Sequence, residues 1–183
     1  MFYRLLWLVV PLLLRQYQTT RAIGKRGAKG EIIEGLPSVI TWLITYLVLL
    51  GLVVRQLADQ SLTWRFWIGY IVFWLAVILR WRAFRALKGF YTEAVVIQRD
   101  HRVVSDGIYR YLRHPLHLGL WFEMLGLAII SVSWLSLLPL ALALAALLLR
   151  NRNEEYLLEK HLGDEYRRYR QTAWDITDLI SYL

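Results

Sequence analysis

Pro37–Val54 and Trp64–Trp81 are apolar runs long enough to cross a bilayer as helices, and they narrow the folds open to the chain. A helix rises about 1.5 Å per residue, so a span needs roughly 17–25 residues. Three shorter runs, Phe2–Leu14, Leu116–Ile130 and Trp134–Leu149, bring the total to five. With 57% hydrophobic residues and nine Trp in 183 positions, the chain is too apolar for a soluble domain of this size. The expected fold is all-α, a polytopic membrane bundle of about five transmembrane helices. The first run mimics the apolar core of a signal peptide. Arg15 and Gln16 follow it without a small-residue cleavage site, so it reads as a short first span or signal anchor.

The charges give the runs an orientation. Arg15, Arg21, Lys25, Arg26 and Lys29 follow the first run; Arg80, Arg82, Arg85, Lys88, Arg99, Arg102, Arg110 and Arg113 follow the third; Arg150, Arg152 and Lys160 follow the fifth. The link after the second run carries only Arg55 and Arg65, and Ser131–Ser133 carries no charge. Basic loops on the cytoplasmic side place the N-terminus outside and the C-terminus inside. The same distribution turns the net charge of +8 away from nucleic acid and toward membrane topology. Without cysteine, disulfide and thiol chemistry are excluded. The short Ser131–Ser133 link predicts a C-terminal helical hairpin of runs four and five. Pro139 predicts a kink in the fifth run. Gly119, Glu123 and Gly126 share one face of the fourth, where the glycines admit a close neighbour. Gly163-Asp164 predicts the end of one helix and the cap of the next, and Gly24–Gly30 reads as a basic loop.

Polar chemistry concentrates in Asp100–Gly119. Ser105-Asp106-Gly107 is a turn signal. Pro115 biases His114 away from helix and suits the first helical turn, so the fourth helix starts there. Its free N–H groups, with Arg113 and His114 beside them, suit a small carboxylate or phosphate; the bland alternative is a basic loop touching anionic lipid heads. His101, His114, His117 and His161 match no zinc spacing, and no metal is expected. Glu123, the one acid within an apolar run, faces either a partner helix or a substrate. Arg150 and Glu154 suit an intrahelical ion pair. The hairpin nevertheless returns Arg150-Asn151-Arg152-Asn153-Glu154-Glu155 to the level of Pro115. Two polar constellations should then meet at one membrane face.

Order and spacing of these residues resemble the isoprenylcysteine carboxyl methyltransferase family and its relatives among membrane phospholipid methyltransferases. The likeness runs from about Arg80 to Tyr169. It rests on His101–Tyr111, Arg113-His114-Pro115, Gly119, Arg150, Glu154-Glu155, Leu158 and Gly163–Tyr169. Thr92–Gly119 is most similar to small bacterial members, some of which methylate alkylpyrone or phenolic lipids. The resemblance implies a single integral-membrane domain, with N-terminal spans in 1–81 and a cofactor-binding catalytic region in 82–183. It implies a cytoplasmic pocket for S-adenosylmethionine in a bacterial or archaeal inner membrane. Gln98, His101, Val103 and Val104 would lie near the cofactor, and Gly107 and Tyr109 would shape the pocket. Arg113, His114 and Pro115 would hold the cofactor's amino-acid end, Glu154 and Glu155 would close over it, and Arg150 would sit near the acceptor. Two positions depart from the pattern. His117 stands where Tyr or Asn is usual, and Ala173-Trp174-Asp175-Ile176 lacks the Pro-containing ending of relatives.

The implied reaction is methyl transfer to a lipophilic or prenylated acceptor arriving from membrane lipid, with Arg150, Glu154 and His114 as the catalytic candidates and Glu123 and Arg150 toward substrate. An isoprenylcysteine-type carboxylate is already ionised. A phenol or enol benefits from a base, for which His114, Glu154 and Glu123 are candidates in that order. The alternatives are a phospholipid N-methyltransferase and a non-catalytic scaffold or sensor retaining the fold.

Overall fold

The computed structural model describes residues 13, 17, 30–34, 36–59, 64–87, 95–98 and 103–179. The first apolar run, apart from Leu13, the 24–29 loop and His101 lie outside them. The elements are β1 (Gly30–Glu34), α1 (Leu36–Asp59), α2 (Trp64–Leu87), β2 (Val95–Gln98), α3 (Pro115–Ser131), α4 (Leu137–Leu162) and α5 (Asp164–Thr172). The fold is helical, with one addition to the all-α expectation. β1 and β2 pair antiparallel, from Gly30 opposite Gln98 to Glu34 opposite Val95. Gly-Glu-Ile-Ile-Glu and Val-Val-Ile-Gln are short and rich in β-branched residues, a composition suited to strands. They were too brief to compete with the helical runs around them.

α2 and the Trp134–Leu162 helix are each long and apolar enough to cross a membrane, whereas Ile40–Gln56 and Pro115–Ser131 are shorter apolar helices. Aliphatic side chains cover much of the outside, and several charged and polar side chains are buried beside the apolar core. Leu43, Ile44, Leu47, Ile71, Leu75, Leu138, Leu142 and Leu149 are exposed, while Arg80, Glu123, Asn151 and Asp175 are buried. That pattern fits a lipid-facing bundle, where helices satisfy their own backbone groups.

α3 lies at the centre, packed on α1, α2 and α4. Leu49 and Val53 of α1, Phe73 and Val77 of α2, Met124 and Leu127 of α3 and Ala143 of α4 meet in the core. Glycine governs the α2–α3 contact. A Cβ on Gly69 would fall 2.6 Å from the Gly126 oxygen, and one on Gly126 would fall 2.7 Å from the Gly69 oxygen. One on Gly119 would fall 2.5 Å from Arg80 Cγ. The close neighbour expected at the glycine face is therefore helix α2. Arg80 is not one of the loop charges: its Nη1 lies 3.2 Å from Glu123 Oε2 inside this interface. Helical spacing from within the Trp64–Trp81 run carries its guanidinium inward, since exposure to lipid would be costly.

The predicted hairpin is present. Val132 closes α3 in the left-handed region at φ 48°, and a 3-10 turn at Trp134–Ser136 leads into α4. Ser136 Oγ donates to the Ser133 carbonyl at 2.6 Å, and Trp121 Nε1 donates to the Leu140 carbonyl at 3.4 Å across the pair. The kink predicted at Pro139 is overturned. α4 begins at Leu137, so Pro139 occupies its first turn, where backbone N–H groups have no intrahelical acceptor to lose. Gly163, at φ 56°, joins α4 to α5 and is itself the cap; Asp164 is the first residue of α5.

Candidate active site

The start of α3 and the C-terminal half of α4 meet. α3 has 17 residues and α4 has 26, so the partner extends past the start of α3 by several turns. Arg150, Asn151, Glu154 and Glu155 are thereby presented beside Arg113, His114 and His117. Arg113, His114, Arg150, Asn151, Glu155 and Asp175 are all buried.

Arg113 is held on three sides. Its Nε lies 2.9 Å from Glu155 Oε1 as a charge contact, Nη2 meets Asp178 Oδ1, and Nη1 donates to the Arg170 carbonyl at 3.0 Å. Its backbone N–H donates to the Trp174 carbonyl at 2.9 Å, and Trp174 N–H donates to the Tyr111 carbonyl at 2.9 Å. The tail that departs from the family pattern is thus stitched onto the 112–113 segment. Tyr169 Oη donates to the Tyr109 carbonyl at 2.6 Å. Burial pushes the Tyr166 and Tyr169 phenols upward, so each remains neutral.

His114 caps α3 without a side-chain hydrogen bond to the helix. Its Nε2 lies 3.4 Å from Glu155 Oε1 and its Nδ1 lies 3.9 Å from Glu154 Oε2. Burial opposes its charge, but the carboxylates of Glu155, Glu154 and Asp175 outweigh burial and raise it above 6.5. For Asp175, burial is again the largest influence and works against charge; His114, Thr177 and Asn151 together still hold its carboxyl below 3.8. Glu155 also faces Arg170 Nε at 3.7 Å, so cations surround it. Glu154 differs from Glu155: its side chain is 28% exposed.

The other flank is aromatic. The rings of His114 and His117 stack at 5.7 Å, His117 meets Trp42 at 5.3 Å, and the Arg150 guanidinium lies 5.0 Å over Trp42. Arg150 is thus directed to α1 by a cation–π contact.

The remaining expected residues divide. Val103 and Val104 are half-buried and lead into the turn. Gly107 has φ 60° and packs toward Ala86 of α2, so its position needs glycine for backbone reasons. Gln98 closes β2. Glu123 lies within the α2–α3 interface on Arg80 and apart from the pairs above. Asn151, Asp175 and Trp42 belong to the cluster without having been singled out as site residues. Asn151 is one residue past Arg150, and its role emerges only with His117 and Asp175 in place beside it. Two triads, His114–His117–Glu154 and His114–Glu155–Asp175, bring possible ligand atoms within 4.8 Å of one another. In the second, Glu155 is already neutralised by Arg113 and Asp175 is filled by Asn151 and Thr177.

The sequence pattern of phospholipid methyltransferases matches residues 64–165, from the start of α2 through the first turn of α5. The chain belongs to the phospholipid methyltransferase family. It is 36% identical over 74 residues to the protein-S-isoprenylcysteine O-methyltransferase of Schizosaccharomyces pombe, covering 40% of this chain and 31% of that protein. It is 28% identical over 111 residues to the protein-S-isoprenylcysteine O-methyltransferase of Dictyostelium discoideum, covering 59% of this chain and 47% of that protein. The matches therefore span less than half the length of either relative. The family segment contains α2, α3 and α4, so it includes both halves of the polar cluster and the α2–α3 glycine contact.

Proposed function

We propose that this chain transfers a methyl group from S-adenosylmethionine to a lipophilic acceptor at the membrane surface. The observation that carries the proposal is the meeting of Arg113, His114 and His117 with Arg150, Glu154 and Glu155, two groups separated by about 40 residues of hairpin. Family membership supplies the reaction class.

The donor set fits the amino-acid end of S-adenosylmethionine, which carries an ammonium and a carboxylate. The α3 N-terminus and His114, whose protonated form the neighbouring carboxylates favour, suit the carboxylate. Glu154, with its solvent-reaching oxygen, suits the ammonium. Arg113 is engaged by Glu155, Asp178 and the Arg170 carbonyl, so it positions His114 and the tail. Pro115, Tyr109, Gly107, Val103 and Val104 shape the approach. When bound, S-adenosylmethionine supplies an electrophilic methyl carbon. The residues of the chain then act by holding the acceptor in line with it, a contribution of orientation. Arg150, flanked by Trp42, suits an anionic acceptor atom and favours O-methylation. The acceptor is an isoprenylcysteine-type carboxylate or a phenolic or pyrone lipid. The family's name favours a second reading, N-methylation of a phospholipid amine, in which Glu154 would face the amine.

Five spans, an outside N-terminus and a cytoplasmic pocket in a bacterial or archaeal inner membrane complete the proposal. Basic residues gather at the pocket end, at Arg110, Arg152 and Lys160, and are absent from the Ser131–Ser133 turn. The direct test is incubation of the purified protein with methyl-labelled S-adenosylmethionine and a membrane lipid extract. A labelled lipid identified by mass is the expected product. Cofactor binding without any labelled product would support a sensor instead.

A further inference from the structure

His117 is the site side chain to which methyl transfer has so far given no task. Its Nδ1 lies 2.7 Å from Asn151 Oδ1. The direction of that bond is decided one contact further on. The buried Asp175 carboxylate accepts from Thr177 N–H, from Thr177 Oγ, and from Asn151 Nδ2 at 3.1 and 3.3 Å. A carboxylate only accepts, so the part of Asn151 facing it is the NH₂ group. The Asn151 carbonyl oxygen therefore faces His117, and it too only accepts. His117 Nδ1 must carry the proton. In the neutral ring the lone pair is then on Nε2, which has no hydrogen-bond partner among the described residues.

We infer that His117 Nε2 is the proton acceptor in the proposed reaction, and that the methyl acceptor is a hydroxyl arriving protonated, a phenol or enol on an apolar chain. An ionised carboxylate would need no such group. His114, stacked against His117, turns both ring nitrogens to carboxylates, Nε2 at 3.4 Å from Glu155 and Nδ1 at 3.9 Å from Glu154, and so faces neither toward an incoming hydroxyl. Glu154 Oε2, 3.9 Å from His117 Nδ1, is placed to stabilise the ring once it is charged. The hydroxyl proton passes to Nε2, and the oxygen's electron pair forms the new bond to the methyl carbon. The S–CH₃ bond of the sulfonium donor breaks, its pair staying on sulfur. The products are a methyl ether, S-adenosylhomocysteine and protonated His117, which returns its proton to water.

The inference rests on the methyl-transfer reading, and the experiment separates the two. The full chain in lipid nanodiscs receives S-adenosylmethionine with a long-chain para-alkylphenol, with a more acidic nitro-substituted alkylphenol, or with N-acetyl-S-farnesylcysteine. S-adenosylhomocysteine binding is measured alongside by calorimetry. His117→Asn keeps an N–H donor toward Asn151 and removes Nε2; His117→Gln keeps side-chain length without basicity and serves if the first variant does not fold. The expected result is cofactor-product binding within about twofold of wild type and a fall of about 100-fold or more in turnover of the alkylphenol. The loss shrinks on the acidic phenol, and it shrinks as rising pH ionises the ordinary one. Equal losses on both phenols, or alkylphenol turnover within about threefold of wild type, overturn the assignment of His117. A wild type that binds S-adenosylhomocysteine and leaves both phenols unmethylated overturns the hydroxyl class, and its methylation of the farnesylcysteine carboxylate would leave the broader reading standing. A wild type that binds no S-adenosylhomocysteine removes both.

Discussion

Glu154 and Glu155 are neighbours in sequence with different surroundings. Glu155 lies among Arg113, His114 and Arg170, and Glu154 reaches solvent beside the two imidazoles. Glu155→Gln takes one of two carboxylates from the buried Arg113 guanidinium, Asp178 remaining, and removal of one partner of a buried pair costs up to about 3–5 kcal/mol. We expect that variant to unfold at markedly lower denaturant, read by tryptophan fluorescence in detergent, while Glu154→Gln unfolds near wild type. The titrations give a second expectation. His114 is raised above 6.5, so its contribution to stability is complete below 6.5 and is lost as pH rises through the folded value. Asp175 is held below 3.8, so its contribution is complete above 3.8 and is lost as pH falls through its folded value. Stability measured across pH should therefore be greatest between these limits, and His114→Ala should flatten the alkaline decline. Residues of the site were legible where their chemistry is unusual for a membrane segment: Arg113, His114, Glu154 and Glu155. Asn151 and Asp175 were not, because an amide and a tail carboxylate acquire meaning only when a distant partner is known.

Helix α3 depends on what its glycines admit. Gly69 and Gly126 put two backbones in contact, where an added methyl meets carbonyl oxygens at 2.6 and 2.7 Å. Backbone cannot swing aside as a side chain does, so Gly126→Ala should destabilise by about 1–3 kcal/mol. Gly51 of α1 has nothing within 4 Å of the same position. Gly51→Ala should be neutral or stabilising by up to about 1 kcal/mol, from helix propensity. Equal effects of the two substitutions in the same unfolding assay would contradict the close α2–α3 contact. The glycine face was legible from its spacing, and the hairpin from the shortness of its link. The partner of that face was not, because helical spacing says which residues share a side and is silent on which helix meets it. Pro139 misled for a related reason. A proline's effect depends on its distance from the helix start, and the 3-10 turn before α4 moved that start.

Across the whole molecule, buried charge and exposed aliphatic surface place the polar cluster at one end of the bundle. Because the chain has no cysteine, single cysteines report topology directly. Asp106→Cys should react with a membrane-impermeant maleimide only after permeabilisation, and Ser133→Cys should react in intact cells. The reverse pattern would invert the orientation. The helical bundle was legible from the apolar runs that form α1, α2, α3 and α4, whereas the β1–β2 pair was not, since its strands are short and flanked by stronger helical signals. The central claim is that the joined ends of α3 and α4 bind S-adenosylmethionine. Calorimetric titration of S-adenosylhomocysteine into wild type, His114→Ala and Glu154→Gln tests it most directly. The account predicts binding by wild type and affinity lower by about tenfold or more in both variants, each worth about 1.4 kcal/mol, with the fold intact. Equal affinity in all three proteins would contradict it.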